Sequence, residues 1–280
     1  MRLSGEVTTT RGLGPHDHVC WAYDDPDDYR RRMLDFLADG ISQGQRVSLI
    51  ADAPADELIG ALRGLDDVDE ALTRGALQVQ SLRDRYRTHA LLDPADQLRA
   101  YAEATRAALA AGYTGLRVAA EATSLVRRPE QLDSFARYEH LVDRFMTGQP
   151  FSALCAYNRV ELGGDTVAQI ACLHPGTSAG ATPFRLYAAD DGTITLSGEL
   201  DLTARDLLAL ALDRVELRPV DGELVVDARE LTFADHRSLL LLAHAARRRR
   251  ATAVLRTDLT GPARLIDVLD MPNVRTEPVR

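Results

Sequence analysis

The chain has 280 residues, 45% of them apolar and only 5% aromatic, and carries a net charge of −9. That length suits two domains with cores built chiefly from Leu, Val and Ala, and the acidic balance excludes a binder that works by neutralising nucleic-acid phosphates. All 33 basic residues are Arg, which removes Schiff-base chemistry, a lysine general base and the P-loop lysine.

In chain order, residues 26–43 have helical periodicity, with Met33, Leu34, Leu37 and Ile41 on one face. Gly44 ends that helix and 47–51 is a buried strand. A helix over 55–64, a strand over 76–82 and a helix over 95–111 follow, the last stopped by Gly112. The pattern continues with a strand at 116–120, a helix at 130–147, a strand at 152–157 and a closing helix at 165–174. Alternation of this kind implies a mostly parallel sheet covered by helices. Residues 177–182 belong to a stretch of Gly, Pro, Ser and Thr without apolar periodicity and are expected to link a domain over 1–176 to one over 183–280. In the second part, strands at 184–187 and 193–196 bracket Asp190, Asp191 and Gly192 as a hairpin. Helix 203–213, strand 223–227, helix 235–250, strand 252–256 and helix 260–269 complete it.

The two parts differ in charge, at −7 for residues 1–182 and −2 for 183–280, and neither is basic. Cys20, Cys155 and Cys172 are too few and too scattered for a secreted disulfide framework. With no signal-peptide core and no span-length apolar run, the expectation is a cytoplasmic protein without membrane or nucleic-acid partners.

In open parallel sheets, ligands sit beyond the carboxyl ends of the strands. Asp52, Glu121, Tyr157 and Asn158 occupy those ends, and Glu121 follows an apolar run that would bury it. A buried carboxylate needs a partner, for which Arg117 and Arg159 are the candidates. His18 and Cys20 share a face if they lie on a strand. With Cys155 and His174 they form either a two-Cys, two-His metal set or a His/Cys-lined ligand pocket. The pocket is preferred, so no metal and no cofactor is assigned. No GxSxG elbow or ordered nucleophile–base pair is found, and the chain is read as a non-enzyme.

The segment Gly198-Glu199-Leu200-Asp201, the run from Leu224 to Asp235 and residues 264–269 together resemble a STAS domain of the anti-sigma-factor-antagonist kind. The resemblance covers 183–280 and implies docking to an anti-sigma factor or related signalling protein through Asp201, Asp235, His236, Arg237 and Ser238. In that family the phosphorylated residue lies two after the Asp. Here Arg237 holds that place and Ser238 the following glycine's, which implies a domain blind to the usual kinase. Asp235 itself is well placed to cap the helix that follows.

The segment 40–51 resembles the approach to a P-loop in RecA-like ATPases, but 52–57 offers Asp52, Asp56 and Glu57 where glycines and a lysine should cradle phosphate. The stretches 17–23, 40–52, 112–118 and 121–123, with Tyr138-Glu139, Cys155-Ala156-Tyr157 and His174-Pro175, are similar in order to the MEDS sensory domain of methanogen and methylotroph regulators. That resemblance implies a RecA-like fold lacking the nucleotide loop and the sensing of a small, apolar or halogenated compound. His18, Cys20, Tyr23, Asp52, Glu121, Cys155, Tyr157 and His174 are the candidate ligand-binding residues. The expected whole is an α/β sensor followed by a smaller STAS-type βα domain, with a homodimer left open. A scaffold protein that senses nothing is the rival reading.

Overall fold

The computed structural model describes residues 2–82, 92–189 and 192–279. The first sheet holds β1 (Gly5–Val7), β2 (His18–Tyr23), β3 (Arg46–Ala51), β4 (Leu77–Ser81), β5 (Leu116–Glu121), β6 (Phe151–Asn158) and β7 (Gly176–Ser178). All seven pair in parallel, in the order β1-β7-β2-β6-β5-β3-β4. Its helices are α1 (Pro26–Ser42), α2 (Ala55–Ala61), α3 (Val68–Thr73), α4 (Pro94–Ala110), α5 (Pro129–Gly148), α6 (Arg159–Leu162) and α7 (Gly164–Ala171).

Local chemistry sets the long helices. Asp25 and Asp93 accept hydrogen bonds from Asp27 N and Asp96 N at the starts of α1 and α4, and each is followed by a proline in the first turn. The pleat then sorts side chains to two faces of the sheet. Val47, Leu49, Ala119, Leu154 and Ala156 pack against Met33, Phe36 and Leu37 of α1. Ile50, Val118, Ala153, Cys155 and Tyr157 face the opposite way, into a core with Tyr101 of α4 and Phe135, Val142 and Met146 of α5.

The second sheet is mixed. β8 (Phe184–Ala188) pairs antiparallel with β9 (Ile194–Leu200). β10 (Glu223–Asp227), β11 (Leu231–Ala234), β12 (Thr252–Arg256) and β13 (Val274–Glu277) add parallel pairings. Helices α8 (Arg205–Arg214), α9 (His236–Arg248) and α10 (Thr260–Val268) connect them. Gly198 lies at φ +93° with its Cα against the Pro183 carbonyl, where a Cβ would come within 2.5 Å. Only glycine fits that crossing.

The α/β class agrees with the sequence reading, and the two sheets are consistent with two parts, while the junction and several short strands depart from it. Thr177 and Ser178, expected in the linker, are buried in β7, paired with both β1 and β2. A three-residue strand is too short to show periodicity. Of the expected hairpin turn, Asp190 and Asp191 lie outside the described residues. Strands β1, β11 and β13 were also unanticipated, being short or preceded by ambiguous polar sequence.

The two sheets share one continuous apolar core. Backbone and side-chain bonds cross between them: Leu186 N donates to Cys172 O at 2.6 Å and Ala188 N to Asp143 Oδ2 at 2.8 Å. Arg214 reaches Asp133 at 3.2 Å and Gln169 at 3.0 Å. Among the described residues, no helix is long and apolar enough to cross a membrane.

Candidate functional site: a buried His, Glu and Cys cluster

Helix α5 presents Leu132, Phe135, Ala136, Glu139, Asp143 and Met146 to the core, all buried. Two carboxylates thus sit one turn apart on an apolar stripe, where burial is costly unless each is compensated. Their compensation is the site.

Asp143 accepts from His18 Nδ1 at 3.0 Å and from the Ala188 amide, and it pairs with Arg2. Glu139 accepts from the Tyr157 hydroxyl at 2.8 Å through Oε1. Its other oxygen, Oε2, lies 3.2 Å from His18 Nε2 and 3.6 Å from His174 Nε2, yet has no aligned hydrogen bond. His174 Nδ1 faces the Ile170 carbonyl at 3.0 Å, which puts the ring proton there. The Cys155 Sγ stands 3.5 Å from His18 Nε2. One donor atom from each of His18, Glu139, Cys155 and His174 lies within 4.8 Å of the others, and all four residues are buried.

The electrostatics follow from this arrangement. Burial raises the Glu139 carboxyl, but the His174 and His18 rings and the Tyr157 hydroxyl outweigh it and hold it below the usual range. Burial likewise opposes ionisation of Asp143, and Arg2 and His18 overcome it, keeping Asp143 ionised. Burial lowers His18, but the hydrogen bond to Asp143 and the adjacent carboxylate of Glu139 outweigh that and hold its pKa up. His174 is held down to about 4 by burial and by neighbouring His18. Burial, then the charge of Glu139, pushes the Cys155 thiol well up.

Beside the cluster lies an apolar pocket of about 30 Å³, lined by Tyr101, Val118, Phe135, Tyr138 and Phe151. Glu139 and Cys155 form part of its wall, so cluster and pocket share two side chains.

The structure divides the residues expected to form one site. His18, Cys155 and His174 converge, and Tyr157 supports Glu139. Cys20 is buried on the same face, in register with Cys155, but its sulfur is not among the converging donors. Tyr23 packs on the α1 face instead. Its hydroxyl donates to Glu121 Oε1 at 3.1 Å, and Glu121 also takes the Thr123 hydroxyl. These are the partners of Glu121. Arg117 is buried toward Phe36 O and Leu13 O, and the half-buried Arg159 reaches Ala22 O and Asp24. Burial raises the Glu121 carboxyl against the two hydroxyls. Asp52 is half-buried near Arg127, 4.0 Å away, apart from the cluster, and the Asn158 side chain caps α6. The cluster therefore sits beneath the sheet, starting at the first residue of β2, rather than beyond the carboxyl ends of the strands. Of the residues expected at the carboxyl ends of the strands, Glu121 stands there with Tyr23 and Thr123 as its partners.

Glu139 and Asp143 were missed as site residues. The signal was available: two acids four apart on an otherwise apolar helical stripe are rarely left in a core without a partner.

In the second sheet, Asp235 accepts from Ser238 N at 2.7 Å and caps α9. His236 and Arg237 are exposed, and Asp201 is partly so. Ser238 is fully buried, its hydroxyl toward Leu200 O, so it is not part of the surface on which it was expected. The cap turns it inward. Leu202, Phe233 and Leu240 are exposed apolar residues around the same helix start.

The family model for MEDS, the methanogen/methylotroph, DcmR sensory domain, matches residues 17–175. No curated protein matches the chain.

Proposed function

The chain belongs to the MEDS family of sensory domains, and on that premise we propose that it is a non-enzymatic signalling regulator. Its first unit takes up a small apolar molecule, and its second unit passes the state of that site to a protein partner. The observation that carries this reading is helix α5. Tyr138 and Glu139 line the apolar pocket, and Asp143, one turn on from Glu139, holds both His18 and the Ala188 amide of β8. A ligand that shifts α5 acts directly on the first strand of the second sheet, biasing one arrangement of the two units over another.

For the second unit we propose an anti-sigma-factor-antagonist role of the STAS kind, with an anti-sigma factor or related signalling protein as partner. The ordered resemblance of 183–280 and the Asp235 cap support it, as does the exposed set of Leu202, Phe233, His236, Arg237 and Leu240. With Arg237 in the acceptor place and the Ser238 hydroxyl buried, docking would not answer to phosphorylation.

Xenon is a suitable first probe, since apolar cavities take it up without hydrogen bonding. Under xenon pressure, methyl resonances of Ile50, Val118 and Ala153 are expected to shift, together with the Ala188 amide. Phe135→Trp, which fills the pocket, removes both effects. Shifts that stay in the pocket and never reach Ala188 would sink the coupling. Unmoved methyls would sink the pocket itself.

A further inference from the structure

We propose that His18, Glu139, Cys155 and His174 hold one zinc-class divalent metal ion. The proposal goes beyond ligand sensing and stands whether or not the apolar pocket binds anything.

The first ground is an unexplained contact. His174 Nδ1 faces a carbonyl and must carry the ring proton, so Nε2 presents a lone pair. That nitrogen lies 3.6 Å from Glu139 Oε2, and both atoms are buried without a hydrogen-bond partner. Two facing acceptors in a dry interior repel each other and lack solvation. A cation between them removes both costs.

The second ground is spacing. Ligand atoms about 2.0–2.3 Å from a tetrahedral ion stand about 3.3–3.8 Å from one another. Three of the six separations are 3.2 Å for His18 Nε2 to Glu139 Oε2, 3.5 Å for His18 Nε2 to Cys155 Sγ, and 3.6 Å for His174 Nε2 to Glu139 Oε2, and all six lie within 4.8 Å.

The third ground is the surrounding shell. Metal-bound imidazoles usually donate their other N–H to a carboxylate or carbonyl, and bound carboxylates are themselves hydrogen-bonded. His18 donates to Asp143, His174 to Ile170 O, and Tyr157 donates to Glu139 Oε1. Every donor except the sulfur is oriented by a second group. Two nitrogens, one oxygen and one sulfur suit zinc, which has no electronic preference for geometry. The rival is a metal-free network in which a doubly protonated His18 bridges Asp143 and Glu139. It leaves the His174 lone pair unanswered.

The test uses the full-length chain, stripped with a chelator and reloaded with zinc(II) or cobalt(II). Elemental analysis and native mass spectrometry should find one ion per chain. The cobalt form should show intense visible bands of a tetrahedral ion and a near-ultraviolet thiolate charge-transfer band, which Cys155→Ser removes. Tyr157→Phe keeps all four donors and should weaken zinc binding by about 10–100-fold, as loss of an orienting partner does. The proposal falls if the wild-type chain takes up no ion in competition with a chelator. It also falls if bound cobalt is octahedral without a thiolate band, or if Glu139→Gln binds zinc as tightly as wild type. The cobalt spectrum needs no variant, so a substitution that fails to fold leaves the test intact.

Discussion

Asp143 is the residue on which most of the buried charge depends. It is fully buried and answers Arg2, His18 and the Ala188 amide together. Removing one member of a buried charge network leaves the others unpaired in a low dielectric. Asp143→Ala should therefore lower unfolding free energy by about 3–5 kcal/mol. The Arg127–Glu161 pair joins two half-exposed side chains, and such pairs are screened by water. Glu161→Ala should cost under about 1 kcal/mol. Urea titrations of both variants provide the comparison, and equal losses would refute this ranking of the two carboxylates.

Among the elements, α1 shows how closely the sheet is covered. Gly40 lies in its interior, and a Cβ there would stand 2.7 Å from both Arg117 Cδ and Val47 Cγ1. Arg117 has little freedom to yield, because its guanidinium donates to Phe36 O and Leu13 O and lies over the Phe36 ring. Alanine would gain about 1 kcal/mol of helix propensity but incur about 1–3 kcal/mol of overpacking. Gly40→Ala is expected to lower the thermal midpoint. A raised midpoint would mean that Arg117 moves aside. Helix α5 carries the other constraint at this scale, since one apolar stripe serves the pocket, the cluster and the junction with β8.

For the molecule as a whole, the shared core makes acid stability a property of both units. His140 of α5 is buried where the units meet, near Arg144 and Glu216, and burial holds it down to about 4. The unfolded chain takes up that proton near the ordinary histidine value of about 6.5. As pH falls below that value the unfolded state binds more protons, so stability declines until the folded pKa is reached. The full shift corresponds to about 3 kcal/mol. Urea unfolding from pH 7 to pH 4 should show this decline, and His140→Leu should reduce it by about that amount. An identical decline in the variant would assign the acid sensitivity elsewhere.

Alternation of helical and strand patterns was enough to define an α/β chain of two units. The cap at Asp235 was equally local, because a helix start is decided by the few residues around it. His18, Cys155, Tyr157 and His174 could be singled out as polar or sulfur-bearing groups near apolar runs. Grouping His18, Cys155 and His174 with Cys20 was part of the sequence reading, but which of them meet, and that Glu139 joins them, depends on the order β7-β2-β6 and on the packing of α5. The pleat decided that Tyr23 leaves that group for the opposite side, and that Arg117 points to α1 rather than to Glu121. Nor could local pattern show that Thr177 and Ser178 complete a sheet, or that Asp143 joins two sheets through one carboxylate. Those are contacts between distant segments, and only packing of the whole chain determines which buried charges find one another.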